Sequence, residues 1–283
     1  FSASTSRHPM RVTVKIGARA DGRLTAIAMR MVSNTGAYGN HGPGVLFHAS
    51  EAIAVYRCPN KKVDGFAVYT NLLPSGAFRG YGLSQTIFAL ESAMDELAQR
   101  LDVDPFALRR LNMVRPSDPI VTVDHAAHDL VFGSYGLDQC LELVETRLAA
   151  GSSPALPDEW LVGRGMALAM IATGPPRGHR AESRLSLALD GFYELRVGTA
   201  EFGNGTTTVH GQIAASVLGV LATHIRIRQS DTDHVGHDTG AYGSTGTIVA
   251  GEATRKAALA LAEILLDFTA AYAGVERDVC RLD

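Results

Sequence analysis

The chain has 283 residues, 46 % of them hydrophobic, which is material for one large core or two modest ones. A formal net charge of −3, from 26 basic and 29 acidic residues, gives no pull toward nucleic acid or an anionic membrane surface. No apolar run approaches the roughly 18 residues of a membrane span, and Phe1 to Arg7 lacks the apolar core of a signal peptide.

The three cysteines, Cys58, Cys140 and Cys280, lie far apart in sequence. That spacing excludes a four-thiolate iron–sulfur or zinc framework within the chain and fits a reducing, cytoplasmic compartment. His125 and His128 stand three apart with no carboxylate between them, which reads as a solvated loop and not as metal ligands. Phe1 in place of an initiator methionine reads as an interior or processed start.

Residues 11–19 alternate apolar and polar, Asp21-Gly22 supplies a turn, and Leu24 to Val32 reads as the returning strand. Val63 to Thr70 is a further strand. After a glycine-rich turn at Gly76–Gly82, apolar residues recur at Leu83, Ile87, Leu90, Met94, Leu97 and Leu101. This spacing predicts a helix with one buried face, with Glu91, Asp95, Glu96 and Arg100 off it. Asp104-Pro105 starts a second helix, as an N-cap and first-turn proline do, running to about Val114.

Residues 116–135 read as a connection, and helix follows from about Leu137 to Ala149. Residues 151–158, rich in glycine, serine and proline, form the expected linker. Beyond them lie a hairpin over Leu185–Val197 on an Asp190-Gly191 turn, a helix over Thr206–Leu221, a short strand over Ile225–Arg228, and a long helix from Ala250 to about Phe268. The expected class is α+β in two mixed units, 1–150 and 159–283, each running hairpin, glycine-rich turn, helix. The pentapeptide Thr-Gly-Ala-Tyr-Gly occurs at Thr35–Gly39 and at Thr239–Gly243; its flanks do not match, which favours chance over duplication.

Three glycine-rich turns carry the chemistry, each before a helix whose free backbone N–H groups collect anions. The first, Gly76-Ala77-Phe78-Arg79-Gly80-Tyr81-Gly82, reads either as a structural helix start or as a turn in which Arg79 holds an oxo group or carbonyl and Tyr81 lies against a flat substrate. The second runs Glu201-Phe202-Gly203-Asn204-Gly205-Thr206. Its glycines suit a tight strand-to-helix turn, but Asn204 and Gln212 have little structural reason to accompany them. The third, Asp238 to Thr247 with Gly243 and Ser244 at its centre, reads either as a flexible surface loop or as a cradle for a phosphate or pterin.

In order and approximate spacing the chain resembles the molybdenum-binding large subunit of the xanthine dehydrogenase/aldehyde oxidase family. The landmarks are Arg7-His8-Pro9, the Ala77–Gly82 turn with Gln85, Glu201–Gly205 with Thr208 and Gln212, and Gly243-Ser244 leading to Gly251. The resemblance implies a molybdopterin cofactor, in its cytosine dinucleotide form, whose metal is held by the pterin dithiolene and by no protein ligand. It implies hydroxylation of an aldehyde or N-heteroaromatic carbon with water-derived oxygen, and electrons leaving through iron–sulfur and FAD partner subunits or domains.

By the same resemblance Arg79 is catalytic, Phe78, Arg79 and Tyr81 bind substrate, and Gly80, Phe202, Gly203, Asn204, Gln212, Gly243 and Ser244 line the cofactor. Three departures accompany it. Asn204 stands where the family commonly has Gln, and Thr13 falls where purine-oxidising members carry an arginine, which disfavours xanthine. The first turn is unlike the Ala-Tyr-Arg-Cys loop of the carbon monoxide dehydrogenase branch. Neither Glu201 nor Glu252 matches the family's general-base glutamate, so the chain is expected to be an interior piece that needs the remaining part of the molybdenum subunit for turnover. A non-catalytic relative and an unrelated phosphate- or nucleotide-binding module are the alternatives.

Overall fold

A computed structural model describes residues 4–119, 132–151, 157, 159–171 and 178–282. His125, His128 and most of the expected 151–158 linker lie outside the described residues. The chain divides into two compact units, Phe1–Ile171 and Ala172–Asp283.

In the first unit β1 (Met10–Ala18) and β2 (Leu24–Gly36) pair antiparallel across the expected Asp21-Gly22 turn, with Ile16 opposite Ile27. A 3-10 turn (Ala37–Gly39), α1 (Gly42–Ser50) and a second 3-10 turn (Glu51–Val55) then carry the chain to β3 (Lys61–Tyr69), which pairs parallel with β2. α2 (Leu83–Leu101), α3 (Pro105–Asn112) and α4 (Leu137–Ala150) follow. Period-2 burial on β2 puts Ile27, Met29 and Met31 on one face, and they share a core with Leu83, Ile87, Leu90 and Met94 of α2. Asp104 caps α3 as its position suggests, its Oδ1 accepting from Ala107 N at 2.8 Å.

Glu91 is a correction. The periodicity puts it off the buried face, yet it is 3 % exposed. Arg109 of α3, wholly buried, donates to it at 2.8 Å, and the Tyr56 hydroxyl (2.6 Å) and Leu168 N (2.9 Å) donate as well. The paired charge and three donors offset the desolvation that would otherwise keep a carboxylate outside. Burial and the Glu91 carboxylate push the Tyr56 phenol well above its ordinary range. Leu141 and Leu168 complete this core, so the stretch after the expected linker packs on the first unit up to Ile171.

The second unit repeats the plan. β4 (Ser183–Leu187) and β5 (Tyr193–Val197) are antiparallel, and β6 (Ile225–Gln229) lies parallel to β5. α5 (Thr206–Leu218) connects β5 to β6, and a π turn (Gly246–Ala250) opens α6 (Gly251–Ala273). Leu195, Val197, Ala214, Leu218, Ala258 and Ala262 form its core. Both units therefore run strand, strand, helix, strand, helix, with the third strand parallel to the second. The repeated pentapeptide overlaps the end of the second strand in one unit and follows the third in the other, so it does not mark equivalent positions.

Candidate functional site

In each unit the parallel strand pair sends two loops out from its carboxyl ends and into helices. That is where open α/β sheets hold ligands. The first unit contributes residues 37–41 after β2 and residues 70–82 after β3.

The segment around Arg7 clamps the second of these loops. Arg7 donates to the Arg79 carbonyl (2.7 Å), Ser84 Oγ (2.9 Å) and Gln85 Oε1 (3.3 Å), and its guanidinium lies 4.3 Å over the Phe78 ring. Gln85 returns a bond to the His8 carbonyl at 3.1 Å. The landmarks Arg7–Pro9 and Ala77–Gln85, far apart in sequence, thus form one structure. A Cβ at Gly82 would stand 2.5 Å from the Val45 carbonyl oxygen, so only glycine fits there.

Phe78 and Arg79 are exposed, and the Arg79 side chain meets no acceptor among the described residues. Tyr81 is held from one side by two histidines. Its ring is half-buried with edges against His41 (5.7 Å) and His48 (5.3 Å), and its hydroxyl lies 2.7 Å from His41 Nδ1. His8 is buried, and its Nε2 has no hydrogen-bond partner among the described residues. Burial pulls its pKa down, against the carbonyls of Gly76 and Asn40, which pull it up. Thr13 is an exposed position of β1 opposite Arg30.

In the second unit the loops after β5 and β6 lie against each other. Thr199 Oγ1 donates to Asp238 Oδ2 at 2.8 Å, and Asp238 Oδ1 accepts from Gly240 N at 2.7 Å. A Cβ on Gly246 would meet the Thr206 methyl at 4.0 Å, which puts the starts of α5 and α6 side by side. His179 stacks on Tyr242 at 5.0 Å and shares a bond with Thr245 Oγ1 at 3.0 Å.

The two helix starts differ. The expectation of free N–H groups fails at α5, because Glu201 takes them. Its Oε1 accepts from Gly203 N (2.7 Å) and Gly205 N (3.1 Å), and its Oε2 from Thr207 N (3.0 Å) and the Thr206 hydroxyl (3.2 Å). The bonds from the Thr207, Gly205 and Gly203 amides hold its carboxyl down at about 2. Asn204 Oδ1 accepts from Thr206, while its amide nitrogen, Phe202 and Gln212 stay exposed without polar partners among the described residues. At the other start the opening turn has no side-chain cap. Thr245 turns its hydroxyl to the Tyr242 carbonyl (2.7 Å), and Gly246 N and Thr247 N meet no acceptor among the described residues.

Family models for the molybdopterin cofactor-binding domain match residues 1–113 and, with a second such domain, 140–283. The chain belongs to the molybdopterin cofactor-binding family. It is 34 % identical over 273 residues to the probable hypoxanthine oxidase XdhD of Escherichia coli (strain K12), covering 94 % of this chain and 29 % of that protein. It is 32 % identical over 279 residues to the putative xanthine dehydrogenase molybdenum-binding subunit XdhA of the same strain, covering 94 % and 36 %. Its fold superposes on the aldehyde oxidoreductase from Desulfovibrio gigas with a TM-score of 0.72 at 25 % identity, over 92 % of this chain and 29 % of that one. The chain spans about a third of the length of these relatives.

The residues of this molybdopterin-binding chain fit an anionic, pterin-borne group. Gly203 and Gly205, at φ 91° and 80°, have open space at their Cβ positions, although Glu201 holds their amides, and the donors left for an anion among the described residues are those of Gly246 and Thr247 at the uncapped start of the last helix. Among the described residues no group of three or more His, Cys, Asp or Glu side chains could hold a metal ion. Sequence reasoning missed His41, His48 and His179, which the fold brings to these loops from distant positions. Glu201 left one legible signal, a carboxylate just ahead of two glycines.

Proposed function

We propose that this chain is the molybdopterin-binding part of a molybdenum hydroxylase, one that oxidises an aldehyde or N-heteroaromatic carbon with water-derived oxygen in the cytoplasm. One observation carries the reading: glycine turns stand at the carboxyl ends of parallel strands, and one leads into a helix start whose Gly246 and Thr247 amides meet no acceptor among the described residues. In this reading Gly243, Ser244 and the amides of Gly246 and Thr247 take an anionic part of the cofactor, in its cytosine dinucleotide form. Phe202, Gly203, Asn204 and Gln212 of the second unit line the rest, and Gly80 is a cofactor-binding residue of the first unit's turn.

When bound, the molybdopterin group supplies the two-electron oxidation. The chain supplies position and charge. Phe78 offers the ring face that Arg7 leaves open to a flat substrate, and Tyr81 backs the turn. Arg79, whose guanidinium meets no acceptor among the described residues, steadies negative charge that develops on the substrate, a contribution of about 3 kcal/mol for one preorganised donor. The remaining part of the molybdenum subunit and iron–sulfur and FAD partners complete the assembly.

The test uses the intact enzyme. Arg79→Ala lowers turnover of an aldehyde or N-heterocycle about a hundredfold while molybdenum content stays unchanged. Equal loss of both would make the arginine a cofactor anchor. An intact wild-type subunit that carries molybdenum but turns over neither substrate class would select the non-catalytic relative.

A further inference from the structure

Two histidines, His41 and His48, pack against Tyr81, and a third, His8, lies near His41. His41 meets the Tyr81 hydroxyl at 2.7 Å and the ring edge-on at 5.7 Å, and His48 meets the ring at 5.3 Å. His48 is itself fixed by Glu51, Nδ1 to Oε1 3.0 Å, and Glu51 is 7 % exposed. His8, buried, sits against the carbonyls of Gly76 and Asn40 and lies in the field of His41. Gly44 leaves the space the phenol needs, since a Cβ there would stand 2.8 Å from the Tyr81 hydroxyl.

The backbone explains why such a clamp is needed. Gly80, Tyr81 and Gly82 form a left-handed run at φ 87°, 37° and 90°. Two glycines adopt this without strain, but a tyrosine between them does not. Two short backbone bonds close the turn, Tyr81 N to the Phe78 carbonyl (2.7 Å) and Leu83 N to the Gly80 carbonyl (2.8 Å). His41, at φ 58°, is a second strained non-glycine residue, at the start of α1. One side-chain bond thus joins two strained loops that leave neighbouring parallel strands.

We infer that His41 is a positioning residue for the Phe78–Gly82 turn. The Tyr81 hydroxyl donates to His41 Nδ1, and this bond holds the left-handed run in place, so that Phe78 and Arg79 stay turned outward. The mechanical link stands on the geometry alone. Its consequence for catalysis rests on the proposal that this turn faces substrate.

The test is amide hydrogen exchange at Tyr81 and Leu83 in the intact subunit. It compares wild type, Tyr81→Phe, His41→Gly, the double variant and His41→Asn. Glycine removes the ring without adding strain at a positive φ, and asparagine keeps an acceptor near the Nδ1 position while tolerating that φ. Tyr81→Phe and His41→Gly each speed exchange about five- to tenfold, and the double variant is no faster than the faster single one. His41→Asn stays within about twofold of wild type. In the assembled enzyme Tyr81→Phe lowers kcat more than it changes KM. Unchanged exchange in Tyr81→Phe, or single effects that multiply in the double variant, overturns the inference. The expected exchange pattern with unaltered kcat supports the link and instead overturns the substrate-facing reading of the turn.

Discussion

α5 and α6 both begin at turns rich in glycine and threonine, and their electrostatic states are opposite. At α5, Glu201 lies four residues ahead of the N-cap Gly205 and fills the donors with its own carboxylate. At the π turn before α6, the residue four ahead of Thr245 is Ala241, which carries no charge, and Asp238 is engaged by Thr199 and Gly240. Both helix ends carry the partial positive charge of aligned peptide dipoles. Glycine content therefore does not by itself make an anion site. What decides is whether a carboxylate of the chain already sits on the donors.

The sharpest way to break the contrast is to give the open start a carboxylate. Ser244, at φ 56°, tolerates aspartate, which is at home in that region. Ser244→Asp lowers the molybdenum and pterin content of the intact subunit more than tenfold, as metal analysis checks, with the thermal midpoint unchanged or raised. Full content would put the cofactor's anion elsewhere.

A second perturbation acts on what holds the two starts together. Thr254 Oγ1 lies 2.7 Å from His210 Nδ1 and 3.1 Å from Ser183 Oγ, and all three elements meet at this buried hydroxyl. Thr254→Val leaves His210 without its partner and costs about 1–3 kcal/mol in denaturant unfolding of the intact subunit. Burial lowers the His210 pKa below 6.5, so the unfolded chain takes up the proton first. His210 thus supports stability above about pH 6.5, and that support falls as pH drops below it. His210→Gln flattens this part of the stability–pH curve.

Local pattern made most elements legible: the β1–β2 hairpin, the α2 stripe and the Asp104 cap all follow from short-range spacing. α1 was not legible, because Gly42, Pro43 and Gly44 open it and its apolar residues keep no helical period. Parallel pairing of β3 and β6 depends on crossovers that no local signal specifies. At the site the glycines and Arg79 stood out, whereas the His41–Tyr81 bond spans 40 residues and exists only in the fold. Glu91 looked exposed because its partner Arg109 belongs to another helix.

A smaller effect comes from Asn204, whose Oδ1 is engaged by Thr206 and whose amide nitrogen points outward. Asn204→Ala lowers cofactor retention two- to fivefold, about the worth of one exposed hydrogen bond. Asn204→Gln restores the residue common in the family and retains cofactor at least as well as wild type, as pterin content after dialysis checks.

Glu201→Gln is the mildest change and the most informative about the closed start. The side chain keeps its shape and loses its charge, so amides that faced a carboxylate now face a neutral carbonyl. Stability falls slightly, and the direction of its pH dependence follows from the pKa. The carboxyl titrates near 4.5 in the unfolded chain and is held at about 2 in the folded one. The unfolded state therefore binds the proton first, and the stabilising difference is fully present above about pH 4.5. It declines as pH falls and is gone below about 2. Unfolding midpoints of wild type and Glu201→Gln should differ by a constant amount at neutral pH and converge toward pH 2. A gap that persists unchanged at pH 2 would mean that the cap works through shape alone, and the contrast between the two helix starts would then not be one of charge.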